Sequence, residues 1–320
     1  MQKKLVLVSI VLTMLVVVLA GCGQGTTKKE SNKLQVITTF YPVYEFTKAV
    51  AGDKADITML MPAGTEPHDY EPSAKDISKI SRSDIFIYSS DNMETWVKSL
   101  KSSIDEKQTQ ILNASHSIKM IDENDELKSE EAELANKEEE SSFSSTSNYD
   151  PHIWLDPENA KEMVKNISKE LIQQDPKNEK YYVKRTNTYL KKLTELNQDY
   201  KTTFKNAKNK TFVTQHAAFA YLAKQYGLTQ VAIAGISSDE EPSPKRLAEL
   251  QTYIKKYDVD TIFTESNDSS KIANMLAKET NIKVKGLNPI EGLSKVQIED
   301  GETYLSVMQD NLKSLKTVVK

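Results

Sequence analysis

Cysteine is almost missing from this chain: Cys22 is the only one in 320 residues, so no disulfide can close within it. Histidine is nearly as scarce, with four residues, His68, His116, His152 and His216. The common catalytic signatures are missing too. There is no HExxH helix, no nucleophile elbow and no glycine-rich phosphate loop, which removes the usual sequence warrants for hydrolase or phosphoryl-transfer chemistry. An excess of basic charge is also lacking. The formal net charge is −4, and its source is local, since Asp122 to Glu140 holds ten acidic residues against Lys128 and Lys137. Without that stretch, and without Lys3 and Lys4, the remainder carries about +2, which gives no support for nucleic-acid binding.

What is present begins with Lys3 and Lys4, followed by the unbroken uncharged run LVLVSIVLTMLVVVLA. Residues 1–21 read as a signal peptide, too short and too weakly flanked for a comfortable membrane span. The run closes on Leu19-Ala20-Gly21-Cys22, which resembles the bacterial lipobox, whose cysteine is lipidated and becomes the new N-terminus. Residues 22–33 then read as a lipidated end and a flexible polar tether. The expectation is a protein held by its lipid anchor on the extracytoplasmic face of the cell membrane. Lipidation on an outward face suggests a Gram-positive envelope.

The rest of the chain is long enough for two lobes. The acidic segment 122–148 has almost no large apolar residue and reads as a mobile, solvated insertion. Before it, LQVITTF, ADITMLM and DIFIYSS have strand composition, with YEFTKAVAG, AKDISKISRS and METWVKSLKSSI at helical spacing. After it come TFVTQHAAF, QVAIAGI, DTIFTES and IKVKGLNP, separated by FAYLAKQYG, SPKRLAELQTYIKKYD and SSKIANMLAKETN. Strand followed by helix, repeated, predicts an α/β fold with parallel sheets flanked by helices. Two such sets predict an N-terminal lobe over 34–175 and a C-terminal lobe over 208–320. Between them, residues 176–207 lack internal Pro and Gly and carry the stripe Tyr182, Tyr189, Leu193 and Leu196. That stripe predicts one long, rigid joining helix.

Three histidines share a setting: His68 in GTEPHDYEPS, His152 in NYDPHIWLDPEN and His216 in TFVTQH each lie at or beyond a predicted strand end. Ligands bind there in open α/β sheets. EPHDYEP and DPHIWLDP both place an acid and Pro directly before His, with another acid-Pro pair a few residues on. Proline fixes φ and cannot continue a strand, so both are rigid bends. A lone loop histidine is usually a surface residue. Three in equivalent positions instead point to a shared metal, since three imidazoles can share one zinc at about 2.0–2.1 Å. His116, in ILNASHSIKM, lacks the bend and reads as structural or surface.

Taken in order around a long central helix, the lipobox, EPHDYEPS, DPHIWLDP, TQHAAFAYLAKQYG, DEEPSP and LNPIEGL closely resemble the zinc-binding lipoproteins that serve ATP-driven metal importers. The resemblance covers essentially the whole mature chain. It implies two lobes holding one metal in the cleft between them, a monomer, and an ABC permease with its ATPase as partners. It matches His68, His152 and His216 to the family's three histidine ligands. It also implies a carboxylate as fourth ligand, which points to Glu291, with Glu265 in FTESND as the alternative.

Three imidazoles and a carboxylate suit Zn2+, whereas manganese prefers more oxygen, so a manganese importer component is the alternative. The chain departs from many zinc-binding relatives in that its acidic segment has no histidine. A zinc hydrolase would need a general base and a substrate pocket, and an adhesin is supported only by exposure. Among other residues, Trp96 reads as core or cleft-lining, Trp154 as packing that orients the His152 loop, Tyr41 as closing the cleft floor, and Asp69 and Glu71 as acceptors for the second ring nitrogen of His68.

Overall fold

The structure is a computed structural model that describes residues 33–122, 149–238, 240–265 and 271–319. The signal peptide, Cys22, almost all of the tether and the acidic segment beyond Asp122 lie outside the described residues. No helix among the described residues is long and apolar enough to cross a membrane.

Among the described residues, eight strands form two four-stranded sheets, each entirely parallel. The first contains β1 (Leu34–Thr38), β2 (Ala55–Met59), β3 (Ile85–Tyr88) and β4 (Gln110–Asn113), in the order β2-β1-β3-β4. The second contains β5 (Thr211–Thr214), β6 (Thr229–Ala232), β7 (Thr261–Thr264) and β8 (Lys283–Gly286), in the order β6-β5-β7-β8. Both sheets thus reverse direction of winding beside their first strand, which opens a crevice at the strands' C-terminal ends.

Alternation along the strands explains the layering. Val36, Ile85 and Ile87 face one hydrophobic cluster, and their neighbours Ile37, Phe86 and Tyr88 face another. A strand buried on both faces needs helices on both. Those helices are α1 (Tyr41–Ala51), α2 (Ala74–Ile80) and α3 (Val97–Lys101) around the first sheet, and α6 (Ala220–Tyr226), α7 (Pro244–Lys256) and α8 (Lys271–Thr280) around the second.

Between the sheets, α4 (Pro157–Gln174) and α5 (Glu179–Phe204) form an antiparallel hairpin. Its pairing is marked by Thr186 Oγ1 donating to Ser168 Oγ (2.8 Å) and Tyr182 Oη donating to Asp175 Oδ2 (2.7 Å). The joining helix α5 is shorter than 176–207 because Pro176–Asn178 makes a separate 3₁₀ turn before it. Its 26 residues span about 39 Å at 1.5 Å per residue. Tyr182, Thr186, Tyr189, Leu193, Leu196, Tyr200 and Phe204 are buried along one face, the three-and-four spacing of an amphipathic helix.

Several elements lie outside the segments predicted from sequence: β4, α4, α9 (Lys295–Glu299) and α10 (Tyr304–Lys316). The last of these returns to the first half of the chain. Phe46 meets Tyr304 edge-on at 4.8 Å, and Tyr200 Oη donates to the carbonyl of Met308 (2.7 Å). One hydrophobic cluster therefore runs from Val36 and Phe40 through Leu193 and Phe212 to Leu287 and Leu315, and joins both sheets to α5. Leu193→Ala is expected to cost about 2–5 kcal/mol in denaturant unfolding, and Lys191→Ala, on the exposed face, about 0.5 or less. Equal midpoints for the two variants would mean that α5 is not part of the common core.

Candidate metal centre

Each candidate ligand is carried beyond the C-terminal end of a strand. His68 lies in the loop after β2, His152 between β4 and α4, His216 two residues past β5, and Glu291 five residues past β8. The two Asp-Pro pairs around His152 have different tasks. Asp150 Oδ1 accepts from both the backbone N–H and the Nδ1–H of His152, each at 2.8 Å. Asp156 caps α4, accepting from the N–H of Glu158 (2.9 Å), with Pro157 in the first turn, where a missing N–H costs nothing.

Glu291 stands on a strained bend. Ile290, buried and β-branched, has φ +60°, a left-handed conformation that such a residue adopts only under constraint. The constraint is visible. Asn288 Oδ1 accepts from the N–H of Ile290 (2.7 Å), Asn311 of α10 pairs with both backbone groups of Asn288 (2.8 and 2.7 Å), and Trp154 donates its indole N–H to the carbonyl of Pro289 (2.7 Å). Trp154 is itself held by Tyr304, whose hydroxyl donates to its carbonyl (2.6 Å). The Glu291 loop and the His152 loop are thus one braced unit.

Four donor atoms from His68, His152, His216 and Glu291 lie within 4.8 Å of one another. His68 Nε2 is 3.2 Å from His152 Nε2, and Glu291 Oε1 is 2.9, 3.3 and 3.5 Å from the Nε2 atoms of His152, His216 and His68. A tetrahedral zinc with donors at about 2.0–2.1 Å has donor–donor edges of about 3.3 Å. The set is nearly dry, with side-chain exposures of 12% for His68, 0% for His152, 1% for His216 and 7% for Glu291.

The far nitrogens are held by carboxylates. Asp150 takes Nδ1 of His152, and Glu265 Oε1 lies 2.5 Å from Nδ1 of His216. In the neutral form of these two rings Nδ1 therefore keeps the proton and Nε2 is left with the lone pair that faces inward. Burial lowers the pKa of His152, but Asp150 and then Glu291 outweigh it and hold it at about 8. Burial likewise opposes charge on His216, and Glu265 and Glu291 raise it well above the usual range. Burial would raise Glu291, yet His216, His152 and His68 hold it well below the ordinary carboxylate range.

The geometry separates the two glutamates. Glu291 faces the three Nε2 atoms, and Glu265 lies behind His216. His116 is exposed on a turn, where its carbonyl accepts from Asn166 Nδ2 (2.9 Å). Asp69 and Glu71 are exposed; it is Glu66 that reaches His68, accepting from its backbone N–H (3.1 Å). Tyr41 lines a separate groove of about 900 Å³ with Glu45, Tyr189 and Lys192, and none of the four donors lines it. Trp96 is half-buried against Phe86 and Tyr70. The roles of Asp150 and Glu66 were open to a sequence reading, because an acid two residues before histidine is the spacing at which a side-chain oxygen accepts the following backbone N–H.

A family model described as zinc-uptake complex component A, periplasmic, matches residues 36–318. The high-affinity zinc uptake system protein ZnuA of Bacillus subtilis (strain 168) is 44% identical over 301 residues, which cover 93% of this chain and 92% of that protein. The zinc-binding lipoprotein AdcA of Streptococcus pneumoniae (strain ATCC BAA-255 / R6) is 45% identical over 289 residues, covering 90% of this chain but 56% of its own length. The chain therefore spans little more than half of AdcA. The crystal structure of the Zn(II)-bound ZnuA-like domain of Streptococcus pneumoniae AdcA aligns with a TM-score of 0.76 at 43% identity, covering 90% of this chain and 99% of that one.

Proposed function

The chain belongs to the zinc-uptake complex component A family, and from that premise we propose that it captures Zn2+ as cargo and delivers it to an ABC permease for import. The observation that carries this reading is the convergence of three imidazole Nε2 atoms and one carboxylate oxygen within 4.8 Å of one another, with Glu291 Oε1 2.9–3.5 Å from all three nitrogens. His68, His152, His216 and Glu291 are the ligands. Asp150 and Glu265 hold two of the imidazoles in the ligating tautomer. A set with three nitrogens favours zinc over manganese, and four protein donors around one point leave no open position of the kind a catalytic zinc keeps. Residues 34–175 and 208–320 act as the two lobes and 176–207 as their joint. Cleavage after residue 21 and lipidation of Cys22 place the protein, as a monomer, on the outer face of the membrane beside its permease and ATPase.

Calorimetric titration of the metal-stripped soluble domain with zinc, repeated in excess manganese, tests the reading. The expected result is one tight zinc per chain that manganese does not displace. Tight manganese with weak zinc, or no stoichiometric metal, would overturn it. Proton competition gives a second test. With His152 at about 8 in the metal-free site, protons occupy its Nε2 increasingly as pH falls below that value. Apparent zinc affinity should then drop from pH 8 to pH 6, by roughly tenfold per unit for each proton displaced. An affinity flat across that range is incompatible with imidazole ligands. Asp150→Ala, which frees the His152 ring, is expected to weaken zinc by about 10–100-fold, read by chelator competition.

A further inference from the structure

The EPH and DPH sequences share one local device and differ in what it leaves over. In both, the acid accepts from the backbone N–H of the histidine two residues on. Asp150 is short, and the oxygen that accepts that N–H also accepts from the imidazole of its own histidine. Glu66 is one carbon longer, and its second oxygen reaches away from the N-terminal half altogether: Oε2 accepts from Ser238 Oγ at 3.1 Å, 172 residues along the chain. Ser238 lies in the loop between β6 and α7.

A second contact lies beside the first. Gly292, next to the ligand Glu291, lies against the β2–α2 loop, so that a Cβ built on it would be in ordinary van der Waals contact, 3.7 Å from the Gly64 nitrogen and 3.9 Å from the Thr65 carbonyl oxygen. The His68 loop thus rests on two loops of the second half of the chain. His68 is also the most exposed of the four donors, at 12% against 0–7% for the others.

We propose that Glu66 latches the β2–α2 loop to the second half of the chain, positioning His68 through one carboxylate oxygen and fastening the loop to Ser238 through the other. The proposal rests on the zinc reading above. Glu66 touches no metal. It acts through His68 and through the contact it maintains, so its effect falls on how fast the ion escapes rather than on which ion is chosen. A hydrogen bond to a carboxylate is among the stronger kinds, and its loss is expected to speed release about tenfold.

The test is zinc release from the loaded protein into excess chelator by stopped flow, with association measured separately and loading stoichiometry determined on each sample. Ser238→Ala and Glu66→Ala should both release zinc about tenfold faster than wild type, with association changed less than about threefold. Glu66→Gln should stay within about threefold of wild type, because its amide oxygen can accept from the His68 N–H and its amide nitrogen can donate to Ser238 Oγ. Ser238→Ala removes only a surface-loop hydroxyl, so the test stands even where Glu66→Ala folds poorly. Wild-type release rates in Ser238→Ala would overturn the latch and leave the zinc reading intact. Glu66→Gln as fast as Glu66→Ala would overturn it in favour of a charge effect. Wild-type protein that loads no zinc would overturn the zinc reading and the latch together.

Discussion

Replacing His152 by alanine is expected to lower zinc affinity by about a hundredfold or more while leaving the protein folded. The estimate follows from position. Changes to groups that merely orient a ligand cost about 10–100-fold, and His152 supplies a donor itself, 2.9 Å from Glu291 Oε1 and 3.2 Å from His68 Nε2. Its removal also leaves Asp150 buried without the imidazole it holds. His116→Ala is the matched control, since His116 is exposed on a turn outside the cluster, and zinc affinity there should be unchanged. Chelator competition with circular dichroism on the same samples decides the matter: a folded His152→Ala protein with wild-type affinity would remove His152 from the site.

Trp154→Ala should have the largest combined effect on stability and on metal. Trp154 is fully buried, meets Phe40 edge-on at 5.0 Å, and ties Tyr304 to Pro289 through its own carbonyl and indole N–H. Truncating a core tryptophan costs about 3–5 kcal/mol, and the unpaired Pro289 carbonyl adds about 1–3 kcal/mol. The strained Ile290 bend loses a brace at the same time, so zinc affinity should fall by about 10–100-fold, as for the loss of other ligand-orienting contacts. Trp154→Phe separates the two effects. It restores most of the buried volume and none of the hydrogen bond, so stability should largely recover while affinity remains depressed. Full recovery of both would mean that the indole N–H is not what holds the Glu291 loop.

Much of the architecture was written locally. Strand composition and helical spacing identified seven of the eight strands in the two sheets, and the buried stripe of α5 follows directly from its sequence period. The missed β4 is four half-buried residues at a sheet edge, too short and too polar for a period to show. The missed α4 is a different case. Ala160, Met163, Val164, Ile167 and Leu171 make an apolar stripe as regular as that of α5, and its start is marked by Asp156-Pro157. That helix was legible from its own residues.

The chemistry divides in the same way. The sequence by itself determined the donor types, the rigid acid-Pro-His bends, and the placement of each candidate beyond a strand end, because proline geometry and strand length are local properties. It favoured Glu291 over Glu265, because Pro289 and Gly292 frame a tight loop and LNPIEGL carries the family resemblance, but both follow parallel strands and a local reading does not fix where either side chain points. Only the tertiary structure decided which carboxylate faces the three Nε2 atoms, through contacts made between residues far apart in the chain. Trp154 holds Pro289 across 135 residues, and Asn311 of α10 holds Asn288. Together they keep Ile290 at a positive φ that its own sequence would avoid. A side chain's direction at the end of a strand is set by what its loop is packed against, and that packing exists only once both halves of the chain share one core.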